Sequence, residues 1–256
     1  MKKIFLLLAL FATVFVACSD DDDEDDKGTP WEIKMTIEIE ENNVRFAADI
    51  KNPKNGREIA VETINWGDGS INENLERLEH YYDAGTYTIT IKGRGKITLN
   101  CGRNYITALD VTQCPALIYL YCDENELTSL NLSKCTELYF LSCRENQLTS
   151  LDISKCTELT YLFCFGNQLT SLDVSKCPKL SNIECNNNQL TSLDVSKCIE
   201  LNSLECGANN FDDEAMNVIY NGLPDRTGKD AGTIHCEAKG NTTIALNKNW
   251  KIEYRE

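Results

Sequence analysis

Apolar and polar positions follow two different rhythms along this chain. From residue 30 to about 93 they alternate one by one. Ile33, Met35, Ile37 and Ile39 alternate with polar residues, and Val44, Phe46, Ala48 and Ile50 do so again beyond Asn42 and Asn43. Period-two alternation marks strands with one buried face, so these two runs read as a hairpin turned at the asparagines. A second pair is predicted from Ile64-Asn65-Trp66, which ends in Gly67-Asp68-Gly69-Ser70, and the later run Gly85 to Ile91. From about Lys96 the rhythm lengthens. Runs of 21 residues begin at Ile106, Leu127, Leu148, Leu169 and Leu190, each close to L-T-S-L-D-V-S-K-C-T-E-L-x-x-L-x-C-x-x-N-Q. A fixed short period predicts stacked coils, because one coil cannot bury its own apolar side and needs its neighbours.

The half L-x-x-L-x-C-x-x-N-x-L is carried, for example, by Leu159, Leu162, Cys164, Asn167 and Leu169. It resembles the leucine-rich repeat pattern, and the internalin-like bacterial branch in particular. The resemblance implies a solenoid whose short parallel strands, x-L-x-C-x, form a concave sheet. Alternation then sends Leu and Cys inward and the three x side chains outward. Equivalent residues stack in columns. Asn104, Asn125, Asn146, Asn167, Asn188 and Asn209 form one, where an amide can satisfy backbone groups at the turn after each strand. In the other half-repeat Leu172, Val174 and Cys177 point inward and Asp173 and Lys176 outward, in a segment too short and too β-branched for a helix. The Asp and Lys columns there read as a solvated face of mixed charge.

Trp66-Gly67-Asp68-Gly69, with the later run from His80 to Thr90, resembles the PKD-like β-sandwich, an immunoglobulin-type spacer. Asp68 between two glycines is read as part of a tight turn rather than as a metal ligand or catalytic acid. The expected fold class is therefore mainly β: a leucine-rich repeat solenoid capped by a small N-terminal sandwich. The expected divisions are 1–17 leader, 18–29 tether, 30–93 sandwich and 94–256 repeats with a C-terminal cap. No linker separates the last two, since Lys96 to Asn104 already fits the strand half of a repeat. Near the end, Asp212 is placed to cap a helix through Asn221 that Gly222 closes, with Ala215, Met216, Ile219 and Tyr220 on one side. Thr233 to Glu237 supplies one more strand, and Trp250 and Ile252 are expected to seal the open edge of the array.

Lys2 and Lys3 precede an apolar run from Ile4 to Ala17, too short to span a bilayer and shaped like a secretory leader. Phe15-Val16-Ala17-Cys18 resembles a bacterial lipobox, with Phe in place of the usual Leu, which implies lipid on Cys18 and an outer-membrane, surface-exposed location. The acidic run Asp20 to Asp26 resembles an export tag of surface lipoproteins; a plain solvated tether is the other reading. Net charge is −15 in all, and setting aside Lys2, Lys3 and the seven acids of 20–26 leaves −10 on the remainder. That balance argues against nucleic acid and anionic lipid as partners. No other segment is long and apolar enough to span a membrane, so the acyl chains on Cys18 are the sole expected membrane attachment, and a monomer is expected.

Of 13 cysteines, all but Cys18 fall in the repeated columns, where small apolar side chains pack well. Buried free thiols are expected, with disulfides across a coil, such as Cys156 to Cys164, as the alternative. No CxxC occurs and identical sites in a row do not converge tetrahedrally, so neither zinc nor any other cofactor is expected. His80 and His235 are the two histidines available as a base, and alternation turns His235 away from its neighbour Cys236. An enzyme is not expected.

Repeat-to-repeat comparison locates the variable positions. The convex half hardly changes, whereas the outward strand positions change at every coil. Aromatic residues gather on three adjacent coils as Tyr119, Tyr121, Phe140, Tyr161, Phe163 and Phe165, bordered by Asp123 and Arg144. Rings left in water are costly, so this patch is the expected ligand site for a protein, peptide or glycan. The opposing expectation is a structural spacer, with the rings packed on each other or on another subunit.

Overall fold

The computed structural model describes residues 28–53, 61–73, 78–237 and 239–254. The leader, Cys18 and the acidic run lie outside the described residues. The chain opens with β1 (Pro30–Ile39), β2 (Val44–Lys51), β3 (Val61–Asn65), β4 (Ile71–Glu73), β5 (Leu78–Tyr82) and β6 (Gly85–Arg94). The first coil has β7 (Ile97–Asn100) at its front and β8 (Ile106–Gln113) at its back. Then come β9 (Leu117–Tyr121), β10 (Phe140–Ser142), β11 (Tyr161–Phe163), β12 (Asn182–Glu184) and β13 (Ser203–Glu205). The end comprises α1 (Asp213–Gly222), β14 (Gly232–Cys236), α2 (Thr243–Leu246) and β15 (Trp250–Tyr254). The architecture is mainly β, a leucine-rich repeat solenoid of 21-residue coils, stacked as the periodicity predicts and of the kind the resemblance implies.

The strands form two sheets, ordered β4-β3-β6-β1-β8 and β15-β14-β13-β12-β11-β10-β9-β7-β2-β5. Both cross residues 93–94. The front of the first coil joins the early strands through β7 on β2, and its back joins them through β8 on β1. Strands β1 to β6 thus cover the first end of the coil stack, and one apolar core runs on from Trp31 to Trp250.

The hairpin expected at Asn42-Asn43 does not form. β1 pairs with β6 along its full length, from Pro30 opposite Arg94 to Ile39 opposite Gly85, while β2 pairs with β5 in the other sheet. The asparagines instead carry the chain from sheet to sheet beside an identical crossing between β5 and β6. Asn42 Oδ1 accepts from Ala84 N at 3.0 Å, and Asn43 N donates to Asp83 Oδ1 at 3.2 Å. The second expected pair does form, with Ile64 opposite Ile91. The turn from β3 to β4 needs glycine: Gly67 has φ +86°, and a Cβ there would meet Thr88 O of β6 at 2.7 Å.

In the repeats Leu162, Cys164, Leu172, Val174 and Cys177 are all fully buried or nearly so, as alternation predicts. The back of each coil is turn-rich and contains no helix between Leu127 and Leu201. Its Asp column has a role beyond solvation. Asp152, Asp173 and Asp194 accept from the backbone N–H of Ser154, Ser175 and Ser196 at 2.9, 2.9 and 2.8 Å, closing the turn locally.

The helix near the end follows its sequence signal. Asp212 accepts from Ala215 N at 2.8 Å, and Met216, Ile219 and Tyr220 face the core. Gly222 is the last helical residue, one position inside its expected place. Trp250 is buried and donates from Nε1 to Pro224 O at 2.9 Å. Rather than sealing the edge, β15 extends the sheet by one parallel strand on β14, so the edge moves out to β15 itself.

Candidate functional site: the concave face

Each concave strand is only a few residues long because the coil must bend away on both sides of it. Its central Leu or Ile is buried, and its flanking residues stand on the open face. Parallel pairing puts equivalent residues side by side. Tyr119, Phe140 and Tyr161 form one row, and Tyr121, Ser142 and Phe163 the next. The expected patch is therefore assembled by register alone, with strands about 4.8 Å apart.

Phe140 sits at its centre. Its ring lies 4.6 Å from Tyr121, 5.9 Å from Tyr161 and 6.3 Å from Tyr119, and meets Phe163 edge-on at 5.1 Å. Ser142, in the row between Tyr121 and Phe163, is 1% exposed although it occupies an outward position. Phe163 and Phe165, expected to be exposed, are half-buried, since lateral packing along the sheet covers part of each ring.

Tyr139 belongs to the group and was not foreseen. It lies one residue before β10 and bridges Tyr119 at 5.6 Å and Tyr161 at 5.5 Å. Other coils carry Ile118, Thr160, Ser181 and Asn202 there, so an aromatic at this otherwise small or aliphatic slot was the available signal. Burial, and next the neighbouring Tyr161, push the Tyr139 phenol up to about 12. Burial also raises Tyr121.

Asp123 and Arg144, expected to border the patch and orient a ligand, are tied to each other. Asp123 accepts from Ser142 Oγ at 2.5 Å and from Arg144 N at 3.0 Å, and its other oxygen takes the guanidinium at 3.3 Å. Arg144 also lies over the Phe165 ring, 5.4 Å from its centre. Phe165 thus joins the patch through a cation rather than through the ring cluster.

The two histidines lie apart. His80 stacks on Trp66 at 4.8 Å and pairs with Asp68 at 2.7 Å. Hydrogen bonds from Ser70, and next the His80 side chain, hold the Asp68 carboxyl down at about 2. His235 is on the concave face beside Glu253 at 2.7 Å, whereas Cys236 is in the core with its sulfur 3.4 Å from the Tyr220 hydroxyl. The expected opposition of these neighbours holds, and burial raises the Cys236 thiol. All twelve cysteines of the described residues are free and buried.

Comparison with known proteins agrees with this architecture in one segment. The family described as Leucine Rich repeats (2 copies) matches residues 157–198. No curated protein matches the chain closely enough to count as a relative. Among solved structures, the functional domain of InlJ from Listeria monocytogenes, which includes a cysteine ladder, is 28% identical with a TM-score of 0.40, over 60% of this chain and 43% of that one. An internalin, InlF, from the same species is 24% identical with a TM-score of 0.41, over 46% of this chain and 37% of that one. Internalin C2, also from that species, is 16% identical with a TM-score of 0.45, over 62% of this chain and 80% of that one. The chain spans less than half the length of the first two.

Proposed function

We propose that this protein is a non-catalytic binding module held at the bacterial surface by lipid on Cys18, whose concave face captures a protein, peptide or glycan. One observation carries the reading. Seven aromatic side chains gather on β9, β10 and β11 and at the residues flanking them, in slots where the next coils carry Asn182, Glu184 and Ser203. The convex positions, by contrast, repeat almost unchanged. A scaffold under selection for folding alone has no need of this asymmetry. Ring faces suit apolar side chains and sugar rings alike. The lipobox-like segment and the acidic run support anchoring and display.

A second reading has its own support. The rings pack on one another and the Asp123–Arg144 pair closes on itself, so the cluster can be read as reinforcement of a spacer or as a contact to another subunit. A glycan and peptide array probed with the soluble chain separates the two. The binding reading expects a ligand that Phe163→Ala and Phe165→Ala each lose by about tenfold or more. Ligands bound by both variants as tightly as by the unaltered chain would favour the spacer.

A further inference from the structure

The concave sheet changes chemistry along the solenoid axis. Register places Phe163, Glu184, Glu205, His235 and Glu253 side by side in one row. Phe163 is directly opposite Glu184, and Glu184 directly opposite Glu205, at a strand spacing of about 4.8 Å. Like charges facing each other across a sheet destabilise it. The same slot holds Tyr121 and Ser142 in earlier coils, so the repeat does not require an acid there. The Glu205 side chain is 18% exposed and lies 3.7 Å from His235 Nδ1, an imidazole that also pairs with Glu253 at 2.7 Å. Among the described residues at the outward positions of these coils, Arg144 is the one Arg or Lys beside the acids Asp123, Glu184 and Glu205. With a charge of −10 beyond the tether, the potential over this half of the face is negative.

From this juxtaposition we infer that the ligand is a cationic polypeptide segment that sets an apolar or aromatic side chain on the Phe163 and Phe165 rings and a lysine or arginine against Glu184 and Glu205. The inference rests on the concave face being the binding surface. The spacing fits. An extended chain advances about 3.3 Å per residue, so side chains two apart on one side are separated by about 7 Å. That spans from the Phe163 strand to a point between the two glutamates. Arginine suits the paired carboxylates through its planar fork, and its methylenes cover ring surface on the way. A neutral sugar brings no positive charge to this acidic row. An anionic partner would be repelled.

Anisotropy titrations of the full chain with labelled peptides test this. The probes are a heptapeptide alternating lysine with phenylalanine, a lysine–serine peptide of equal charge, a glutamine–phenylalanine peptide without charge, and cellohexaose as a neutral sugar competitor. The lysine–phenylalanine peptide is expected to bind at least about tenfold tighter than the others at about 0.15 M salt. The double change Glu184→Gln, Glu205→Gln should weaken it at least about tenfold and flatten its salt dependence. Removing the same charge at exposed positions outside the concave face, Glu200→Gln with Glu214→Gln, should weaken it less than about twofold. Melting curves of the glutamine variants check that the fold persists. Equal losses in the two double variants would reduce the effect to net charge and overturn the inference. Tight binding of the uncharged peptide or of cellohexaose, lost in Phe163→Ala but kept in the Glu184/Glu205 variant, would overturn the cationic ligand while leaving the aromatic surface standing. Lysine–phenylalanine binding that ignores Phe163→Ala would sink the aromatic reading itself.

Discussion

Asn146 donates from its side-chain nitrogen to the carbonyl of Cys122, one coil back, at 3.0 Å. The same nitrogen reaches its own coil at Cys143 O, 3.2 Å away, and its oxygen accepts from Leu127 N at 3.0 Å. One amide thereby satisfies three buried backbone groups on two coils, which no apolar side chain of that size can do. Asn146→Ala is expected to lower stability by about 1–3 kcal/mol, the cost of stranding Leu127 N, since Cys122 O and Cys143 O still accept from the Asn125 and Asn167 side chains at 3.0 Å each. Asn209→Ala should cost less, because that column end is only half-buried. Urea midpoints at unchanged slope provide the comparison.

The thiol columns should make the fold sensitive to alkali. Burial pushes Cys177 up to about 11 and Cys135, Cys156, Cys185 and Cys198 up to about 12, from an ordinary value of 9.0. Since the folded values lie above the unfolded one, the stabilisation is complete below about pH 9 and is lost as pH rises toward 11–12. Each thiol contributes a loss of about 1.4 kcal/mol per pH unit in that window. Twelve such groups suffice to offset a typical stability of about 5–15 kcal/mol within one or two pH units. Circular dichroism should show cooperative unfolding between about pH 9 and 11. Native protein at neutral pH should resist alkylation until denaturant is added; a fold intact at pH 11 would contradict the buried-thiol account.

Asp68 titrates in the opposite sense. Its carboxyl is held at about 2, so its contribution is present above about 3.8 and disappears as pH falls toward 2. Carbon-detected NMR of the carboxyl should give that midpoint. Ser70→Ala, which removes the hydroxyl 2.5 Å away, should move it upward toward the ordinary value.

Neighbouring residues on β11 should separate packing from recognition. Leu162 is fully buried, and Leu162→Ala should cost about 2–5 kcal/mol. Phe163 is half-buried with one edge-on ring partner, and Phe163→Ala should cost about 1 kcal/mol while lowering ligand affinity. Equal stability losses for the two would mean that the ring serves the sheet alone.

Cys18→Ala should release the protein from the membrane fraction or leave an uncleaved precursor. Cell fractionation with added protease reads this directly. A variant still anchored and accessible outside would remove the lipid from the account.

Local patterning carried much of the repeat region. A 21-residue apolar period is enough to say that Leu162 and Cys164 face in, that Phe163 faces out, and that equivalent residues stack, because one coil copied in register has few other ways to bury its leucines. The glycine turn at Gly67 and the Asp212 cap were equally legible, each being settled within a few residues of backbone. Alternation in β1 and β2 correctly marked their buried faces yet led to the wrong partner. It specifies which side chains are inside, whereas the hydrogen-bonding edge of one strand is chemically like that of any other. The choice of β6 over β2, the passage of both sheets into the first coil, and the extension of the array by β15 are decided only when all strands compete for the same edges. The concave site divides the same way. Its rings could be named from the repeat, but the recruitment of Tyr139, the burial of Ser142 and the pairing of Asp123 with Arg144 depend on where side chains of different coils meet in space.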